Sequence, residues 1–339
     1  MKRLTQHMLF WPAITLALLL VASSLFNPSF LALTWRDGHL YGSVVDILNR
    51  AAPLMVVSLG MTLVIAVRGL DISVGAVVAI SAAVVALMIG GSFSATGTVQ
   101  SAHPLWVALT AALAVAAACG LWNGLLVVKA GMQPIVATLI LMVAGRGIAQ
   151  LLTGGQIITV YYPPFFALGN GYLIGLPVAL WIAGSLWLAL HLVMSRTALG
   201  LFVRSIGGNP EAARVAGVRS AAITLCVYTF CGLAAGVAGL IVSSNVKSAD
   251  ANNAGQLLEL DAILAVTLGG TALTGGRFTL AGTVIGALII QTLTSMIYSL
   301  GVPPEVNLVV KATLVFAVML LQSAEFRQLV ARAARGSTT

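Results

Sequence analysis

The 339-residue chain is 59% hydrophobic and only 8% charged, against about a quarter charged in an ordinary soluble domain. Its 17 basic and 9 acidic residues are too few to cover a water-exposed surface of this size, which excludes a soluble globular protein, and the mean hydropathy of +1.04 excludes a disordered one. The formal net charge of +8 comes from single Lys and Arg residues that interrupt apolar runs, a pattern that does not indicate nucleic-acid binding.

Apolar runs recur along the whole chain and predict an all-α integral membrane protein with about ten transmembrane helices in one domain, residues 1–339. The predicted spans are about 9–31, 47–67, 72–90, 105–128, 134–152, 174–194, 220–242, 259–273, 279–298 and 306–323. The first run resembles a signal peptide, but it is long enough to cross a bilayer, which takes about 20 apolar residues, and we interpret it as an uncleaved span. The eighth run is short, and Gly269-Gly270 and Gly275-Gly276 are expected to bend or end it.

The distribution of basic residues predicts the orientation in the membrane. An even number of spans places both termini on one side, and the positive-inside rule assigns the side richer in Lys and Arg to the cytoplasm. With both termini cytoplasmic, the cytoplasmic side holds Lys2, Arg3, Arg68, Lys129, Arg196, Arg204, Arg214, Arg219, Arg277, Arg327, Arg332 and Arg335. The outer side and the spans hold Arg36, Arg50, Arg146, Lys247 and Lys311. The long loop 195–219 is then cytoplasmic, and the long loop 153–173 is outside.

Several kinds of catalytic site are not indicated. The sequence has no Gly-x-x-x-x-Gly-Lys-Ser/Thr phosphate loop, no His-Glu-x-x-His and no Gly-x-Ser-x-Gly, and its 3 cysteines lack metal or redox spacing. We therefore expect neither an enzyme nor a bound cofactor or metal. Asp71 and Asp261 leave an intramembrane aspartyl hydrolase as an alternative, since two carboxylates can share one proton. Because Arg68 lies near Asp71, a salt bridge or a cap at a span end is the simpler interpretation.

The cytoplasmic loop contains the signature of a short helix at 209–217. Asn209 is a favourable N-cap, Pro210 suits the first turn, and Glu211 lies where the helix dipole favours an anion. Gly217 can adopt the left-handed conformation that ends a helix. So short a helix is marginal in isolation, and we expect it to need a surface on which to dock. A small-residue face for close docking is formed by Ala212, Ala213 and Ala216.

These residues resemble a known transporter family. Glu211–Ala213 followed by Gly217 is similar to the EAA coupling motif of ATP-binding-cassette importer permeases. Segments that resemble the ribose-type sugar permeases are Gly60–Ile65, Gly69–Gly75, Val136–Leu139, Arg146-Gly147 and Leu260–Val266 running into Gly269-Gly270. Segments that look like the galactofuranose permease branch are Asp46–Pro53, Leu141–Gly147 and Ala249–Gly255. The likeness runs from about Ile47 to Gln322, and Arg68 departs from it, since the relatives carry a small residue there.

The resemblance implies a permease subunit of a sugar importer in a bacterial inner membrane. A periplasmic sugar-binding protein would deliver the sugar, and a cytoplasmic ATPase, usually one chain with two cassettes, would use ATP and Mg. A second permease subunit would complete the pathway, either a related chain, as in the galactofuranose branch, or an identical copy. The implied substrate is galactofuranose, with ribose or another pentose or hexose as the alternative.

The resemblance also assigns ATPase coupling to the loop helix. The residues expected to transmit ATPase motion are Asn209, Pro210, Glu211, Ala212, Ala213 and Gly217. The alternative is an ordinary cytoplasmic loop helix, because basic inner loops are common in membrane proteins.

A pathway for a neutral, hydroxyl-rich solute needs a few polar groups that replace water without holding the sugar tightly. Candidates within or near the spans are Asp71, Ser73, Asn123, Gln133, Thr138, Arg146, Glu259, Asp261 and Gln291. An ionisable side chain within a span is costly, so Arg146 is expected to face protein or water, either lining the pore or forming a structural ion pair.

The outer segment 243–256 is unusually polar for this chain. It is expected to form an external gate or the contact for the binding protein, and a solvated loop is the alternative. The candidate residues are Asn245, Asp250, Asn252 and Asn253.

A stand-alone secondary carrier that uses Asp71 or Asp261 as a proton site is the alternative from another functional class. An importer permease should be encoded beside a cassette ATPase and a sugar-binding protein, whereas a carrier needs neither.

Overall fold

The computed structural model describes residues 9–36, 38–93, 99–301 and 304–322, and within these ranges the chain is mainly helical. In chain order the helices are α1 (Phe10–Phe26), α2 (Ser43–Ala66), α3 (Val74–Ile89), α4 (Leu105–Val128), α5 (Pro134–Thr153), α6 (Pro163–Asn170), α7 (Val178–Arg196), α8 (Ala198–Gly208), α9 (Pro210–Val215), α10 (Ser220–Val246), α11 (Leu258–Leu268), α12 (Leu280–Ser299) and α13 (Pro304–Gln322). Short strands form antiparallel pairs: β1 (Thr34–Arg36) with β2 (His39–Tyr41), β3 (Gly91–Phe93) with β4 (Val99–Ser101), β5 (Ile158–Thr159) with β8 (Ser248–Ala249), and β6 (Tyr172–Leu173) with β7 (Leu176–Pro177).

Each predicted span overlaps one of these helices. Within the described residues, 6 helices are long and apolar enough to cross a membrane, namely α2, α4, α5, α7, α10 and α12. Helices α1 and α3 are apolar but have only 17 and 16 residues, and α11 has 11. The described part of the chain is thus mostly helical and contains six candidate spans, and the full count of ten stays a prediction.

The termini that the sequence places in the cytoplasm lie outside the described residues. The same is true of the basic residues at the two ends of the chain: Lys2, Arg3, Arg327, Arg332 and Arg335. The terminal orientation therefore stays a prediction.

Helix α11 ends at Leu268, earlier than the predicted span 259–273. Gly270, Gly275 and Gly276 adopt positive φ angles of +87°, +84° and +86°, a conformation that an α-helix cannot include. Helix α11 therefore ends before these glycines, as the sequence leads one to expect, and the extent of the eighth membrane span stays a prediction.

Helix α2 forms the centre of the bundle. Its side chains are largely apolar on all faces, and the stretch from Ala51 to Ala66 is buried. Helices α7, α10, α11 and α12 pack around it. The contact of α10 with α4 depends on small residues, because a Cβ added to Gly232 would lie 2.7 Å from the Cα of Gly120. Helices α5 and α7 are mostly exposed, because only 28% and 17%, respectively, of their most apolar 18-residue stretches are buried. Their surfaces are therefore available to lipid or to another chain.

The connecting segments gather at two ends of the bundle. At the end where α2 begins, β5 pairs with β8, and the Leu40 N–H donates to the Gly175 carbonyl at 3.0 Å. At the end where α2 stops, the Gly276 N–H donates to the Ala66 carbonyl at 2.9 Å. Segments predicted outside thus contact one another, and so do segments predicted in the cytoplasm, as alternating spans require.

Candidate functional site

The turn between α2 and α3 contains a buried polar cluster. Asp71 Oδ1 accepts hydrogen bonds from the Ser73 N–H at 3.0 Å and from Ser73 Oγ at 2.6 Å, and it lies 3.4 Å from Asn123 Nδ2. Asn123 Nδ2 also donates to Ser73 Oγ at 2.8 Å. All three side chains are 1% exposed or less. The cluster therefore joins the start of α3, where the helix dipole favours a carboxylate, to α4.

Thr138 joins the same turn to α5. Its Oγ1 accepts a hydrogen bond from the Ile72 N–H at 3.3 Å and lies 3.4 Å from the Leu70 carbonyl oxygen. Tyr228 of α10 closes the turn from another side, because a Cβ added to Gly69 would collide with its hydroxyl oxygen. The predicted pathway residues that meet at this turn are Asp71, Ser73, Asn123 and Thr138. In this conformation they bind one another and the backbone, and so hold α3, α4 and α5 together.

Arg68 does not pair with Asp71. Its Nε donates to the Gly207 carbonyl at 2.7 Å, and its Nη2 donates to the Gly208 carbonyl at 2.6 Å, both at the C-terminal end of α8. Among the residues that the structure describes, no ion pair includes Asp71. Of the two simple interpretations, the salt bridge is therefore wrong, and Asp71 instead accepts hydrogen bonds at the residue that precedes α3.

Asp261 has a different partner. Lys311 Nζ lies 2.7 Å from Asp261 Oδ2, and these side chains are 16% and 23% exposed, respectively. The two aspartates thus have separate partners, and the shared proton that an aspartyl hydrolase requires is not arranged in this structure. The remaining polar candidates do not join the Asp71 cluster: Gln133 is exposed at the start of α5, and Gln291 is half-buried in α12.

Arg146 of α5 binds the polar outer segment through backbone oxygens. Its Nη1 donates to the Ala251 carbonyl at 3.0 Å and to the Ala254 carbonyl at 2.7 Å. One turn further along α5, Gln150 Nε2 donates to Asn252 Oδ1 at 2.6 Å. The structural ion pair that was one expectation for Arg146 is not formed in the described part of the chain. Its contacts join α5 to the segment after β8.

The outer segment is also folded upon itself. Asp250 accepts hydrogen bonds from the Asn252 and Asn253 N–H groups at 2.9 and 3.1 Å and from Asn253 Nδ2 at 2.7 Å. These bonds, led by that from the Asn253 side chain, lower the pKa of the Asp250 carboxyl, and attraction to Arg146 acts in the same direction. Asn245 lies at the end of α10, where Asn170 of α6 donates to its carbonyl at 3.1 Å. The predicted outer-gate residues therefore belong to a structured segment.

Two short helices, α3 and α11, meet at their N-terminal turns. At 1.5 Å per residue they are about 24 and about 16 Å long, shorter than the roughly 30 Å hydrocarbon core of a bilayer. Glu259, in the first turn of α11, lies against Gly75 in the first turn of α3, because a Cβ on Gly75 would collide with its carboxylate. Glu259 Oε2 is buried and hydrogen-bonds no described group, and Arg146 lies near enough to attract it. Transporters use such interrupted helices to line a pathway.

The predicted loop helix is present as α9. Asn209 Oδ1 accepts hydrogen bonds from the N–H groups of Glu211 and Ala212 at 3.1 Å each. Glu211 pairs with Arg214 at 2.9 Å, and Gly217 has a φ of +82°. The local helix is therefore confirmed, while its role stays a prediction.

Helix α9 contacts the rest of the chain through one side. Ala213 is 4% exposed, whereas Ala212 and Ala216 are exposed, so the three alanines do not form one docking face on this chain. Glu211 and Val215 are exposed beside them. The outward side of α9 is thus available to another protein.

Sequence reasoning missed the role of two basic side chains. The sequence suggests Asp71 as the partner of Arg68 and assigns Lys311 no partner. A signal for Arg68 was present, since an arginine follows the end of the apolar run 47–67 and precedes Gly69. Its partners could not be identified, because Gly207 and Gly208 are 139 and 140 residues away in the chain.

Comparisons with known proteins agree with a transport role. Residues 43–319 match the family described as "Branched-chain amino acid transport system / permease component". The chain is 47% identical over 325 residues to the galactofuranose transporter permease protein YtfT of Escherichia coli strain K12, covering 94% of this chain and 92% of that protein. It is 35% identical to the fructose import permease protein FruF of Bifidobacterium longum, covering 98% and 93% of the two chains. It is 34% identical to the ribose import permease protein RbsC of Escherichia coli strain K12, covering 91% and 92%. No solved structure matches the chain.

Proposed function

We propose that this chain, which belongs to the branched-chain amino acid transport system / permease component family, is the membrane-spanning subunit of an ATP-binding-cassette sugar importer. The observation that carries the proposal is the near full-length similarity to three permeases whose names specify sugar transport. The six candidate spans of the described residues support a multi-pass protein of a bacterial inner membrane. Ten spans with both termini in the cytoplasm are proposed from the hydropathy and the distribution of basic residues in the sequence.

The leading substrate is galactofuranose. The relative named for that sugar is 47% identical to this chain over the aligned residues, against 35% and 34% for the relatives named for fructose and ribose. Those two sugars are the second candidates. The polar group proposed to meet the sugar is Glu259 at the junction of α3 and α11, because Oε2 of its carboxylate is buried and has no hydrogen-bond partner among the described residues.

ATP hydrolysis belongs to a partner in this proposal. A cytoplasmic ATPase with two cassettes would use ATP and Mg and would bind the exposed side of α9, where Glu211 and Val215 are accessible. A second permease subunit, related or identical, would cover part of the exposed surface of α5 and α7. A periplasmic sugar-binding protein would contact the outer segment that contains Asp250 and Asn252.

The proposal is tested with the complete complex in proteoliposomes. We expect radiolabelled galactofuranose to enter only with the binding protein and ATP present, and faster than ribose or fructose. Glu211→Lys should lower uptake at least about tenfold, while membrane insertion stays normal, because the exposed Glu211–Arg214 pair contributes only about 0–1 kcal/mol to stability.

The control for that variant is Asp46→Lys, which makes the same charge change in the first turn of α2, at the end of the bundle opposite to α9. This variant should leave ATP-driven uptake near the wild-type rate. Sugar uptake at full rate without the ATPase would contradict the importer and favour a proton-coupled carrier. Normal uptake by Glu211→Lys would contradict the coupling role of α9.

A further inference from the structure

Arg68 has a backbone conformation that is unusual for its residue type. Its φ is +64°, in the left-handed region that favours glycine, and it is one of few described non-glycine residues with a positive φ. The side chain leaves this turn and reaches α8, where two nitrogens of the guanidinium group bind two successive carbonyls at 2.7 and 2.6 Å. The strained backbone and the forked hydrogen bonds together indicate a specific task for this side chain.

The two carbonyls belong to the joint between α8 and α9. Gly207 and Gly208 are the last residues of α8, and Asn209, the N-cap of α9, follows directly. The last carbonyls of a helix lack partners within the helix and carry partial negative charge, so a guanidinium group binds them well. Arg68 therefore holds the joint that sets the direction of α9.

The same joint is in backbone contact with two further elements. A Cβ added to Gly207 would collide with the Ala66 carbonyl at the end of α2, and with the backbone of Gly276. Gly275 lies close to the Arg68 side chain, because a Cβ there would lie 2.7 Å from Arg68 Cγ. Displacement of the α8–α9 joint is thus opposed by α2 and by the glycine turn before α12.

The turn that begins at Arg68 leads to the buried polar cluster at Asp71. Only Gly69 and Leu70 separate Arg68 from Asp71, and Tyr228 leaves no space for a side chain at Gly69. Asp71 and Ser73 hold the start of α3 to Asn123 of α4. The chain from Arg68 to Ser73 therefore connects the α8–α9 joint to the first turn of α3, which meets Glu259.

We propose that Arg68 is a positioning residue that transmits displacement of α9 to the α2–α3 turn, and through it to the junction of α3 and α11. This inference rests on the proposed function, in which an ATPase moves α9. It assigns to Arg68 no contact with the sugar.

The first test measures whether Arg68 holds the joint. The full chain in lipid nanodiscs is compared as wild type and Arg68→Gly by amide hydrogen exchange. Glycine adopts a φ of +64° without strain, so the turn itself should persist. We expect the amides from 207 to 213 to exchange about tenfold faster in the variant, because two charge-assisted hydrogen bonds are lost. Arg68→Lys, which retains one charged donor, should fall between the two. Unchanged exchange in Arg68→Gly would overturn the proposal.

The second test measures coupling. In the reconstituted complex, the number of sugar molecules imported per ATP hydrolysed is expected to fall about fivefold or more in Arg68→Gly, with partial rescue by Arg68→Lys and with unchanged ATPase co-purification. The matched control is Arg196→Gln, which removes an exposed charge at the end of α7 and should keep the wild-type ratio.

The outcomes separate the two proposals. Suppose that the wild-type complex couples normally and that Arg68→Gly exchanges its amides faster but imports as much sugar per ATP as the wild type. This result would overturn only the transmitting role of Arg68. A wild-type complex whose ATP hydrolysis does not drive sugar uptake would overturn the proposed function, and the role of Arg68 in coupling with it.

Discussion

Arg146 is the residue on which the outer segment depends most directly. Its removal would leave the Ala251 and Ala254 carbonyls without their charged donor. Hydrogen bonds to charged groups contribute about 1.5–3 kcal/mol each, and partial exposure lowers that contribution. Its structural role and a role in the pathway make different predictions.

We predict that Arg146→Leu lowers the free energy of unfolding by about 2 kcal/mol and lowers the amount of protein in the membrane. The measurements are denaturant unfolding in detergent and uptake normalised to protein abundance. The control is Gln150→Leu, which removes an exposed hydrogen bond to the same segment and should cost about 0.5 kcal/mol. Unchanged stability with reduced uptake per molecule would show that Arg146 acts in the pathway instead.

At the level of single residues, the sequence indicated which ionisable side chains could not face lipid, but it did not indicate which groups they bind. It required Arg146 to face protein or water because an ionisable group in a span is costly. The actual acceptors are the Ala251 and Ala254 carbonyls, which are 105 and 108 residues away in the chain, and no local pattern specifies them. Asp71 illustrates the same limit, since Arg68 was the nearest candidate in sequence and is bound elsewhere.

Helices α8 and α9 show how an element is set by local residues and then fixed by distant ones. Helix α9 was predictable because the residues that begin and end it lie close together in the sequence: the cap Asn209, the first helical residue Pro210 and the terminating Gly217. The position of α8 was not predictable, because it depends on how closely Gly207 approaches the backbone of α2 and of Gly276.

The joint provides a matched pair of glycine variants. We predict that Gly207→Ala lowers the free energy of unfolding by about 1–3 kcal/mol, since the added methyl group would collide with the Ala66 carbonyl and the Gly276 backbone. Gly208→Ala meets nothing within 4 Å and should cost less than about 0.5 kcal/mol. Thermal unfolding of both variants in the same detergent makes the comparison. Equal effects would mean that α8 does not pack on α2 in this way.

At the scale of the whole molecule, hydropathy located the ten helices that overlap the predicted spans, but it did not locate α6 or α8, which lie in predicted loops. What hydropathy could not provide is the meeting of α3 and α11, because both are shorter than a full span and their contact joins Gly75 to Glu259. Small residues and a single carboxylate decide that contact, and neither has a strong periodic signal.

The two ends can be assigned to the two sides of the membrane by labelling. Val215 on α9 is 84% exposed and Val246 at the end of α10 is 65% exposed. In a chain whose cysteines 119, 226 and 231 are replaced by alanine, we predict that Val215→Cys reacts with an impermeant maleimide only in inverted vesicles. Val246→Cys should react only in right-side-out vesicles. The cysteine-free chain is the blank, and labelling of both sites from one side would contradict the predicted topology.

The pairing of β5 with β8 has a consequence for biogenesis. Five helices, α6 to α10, lie between Ile158 and Ala249 in the chain, so the ribosome must synthesise all five before these strands can meet. The outer cover of the bundle is therefore completed late in translation, after the seventh predicted span has entered the bilayer. In a nascent chain arrested before residue 248, the backbone at residues 158–160 should be cleaved by protease, whereas its pairing with residues 247–249 protects it in the finished protein.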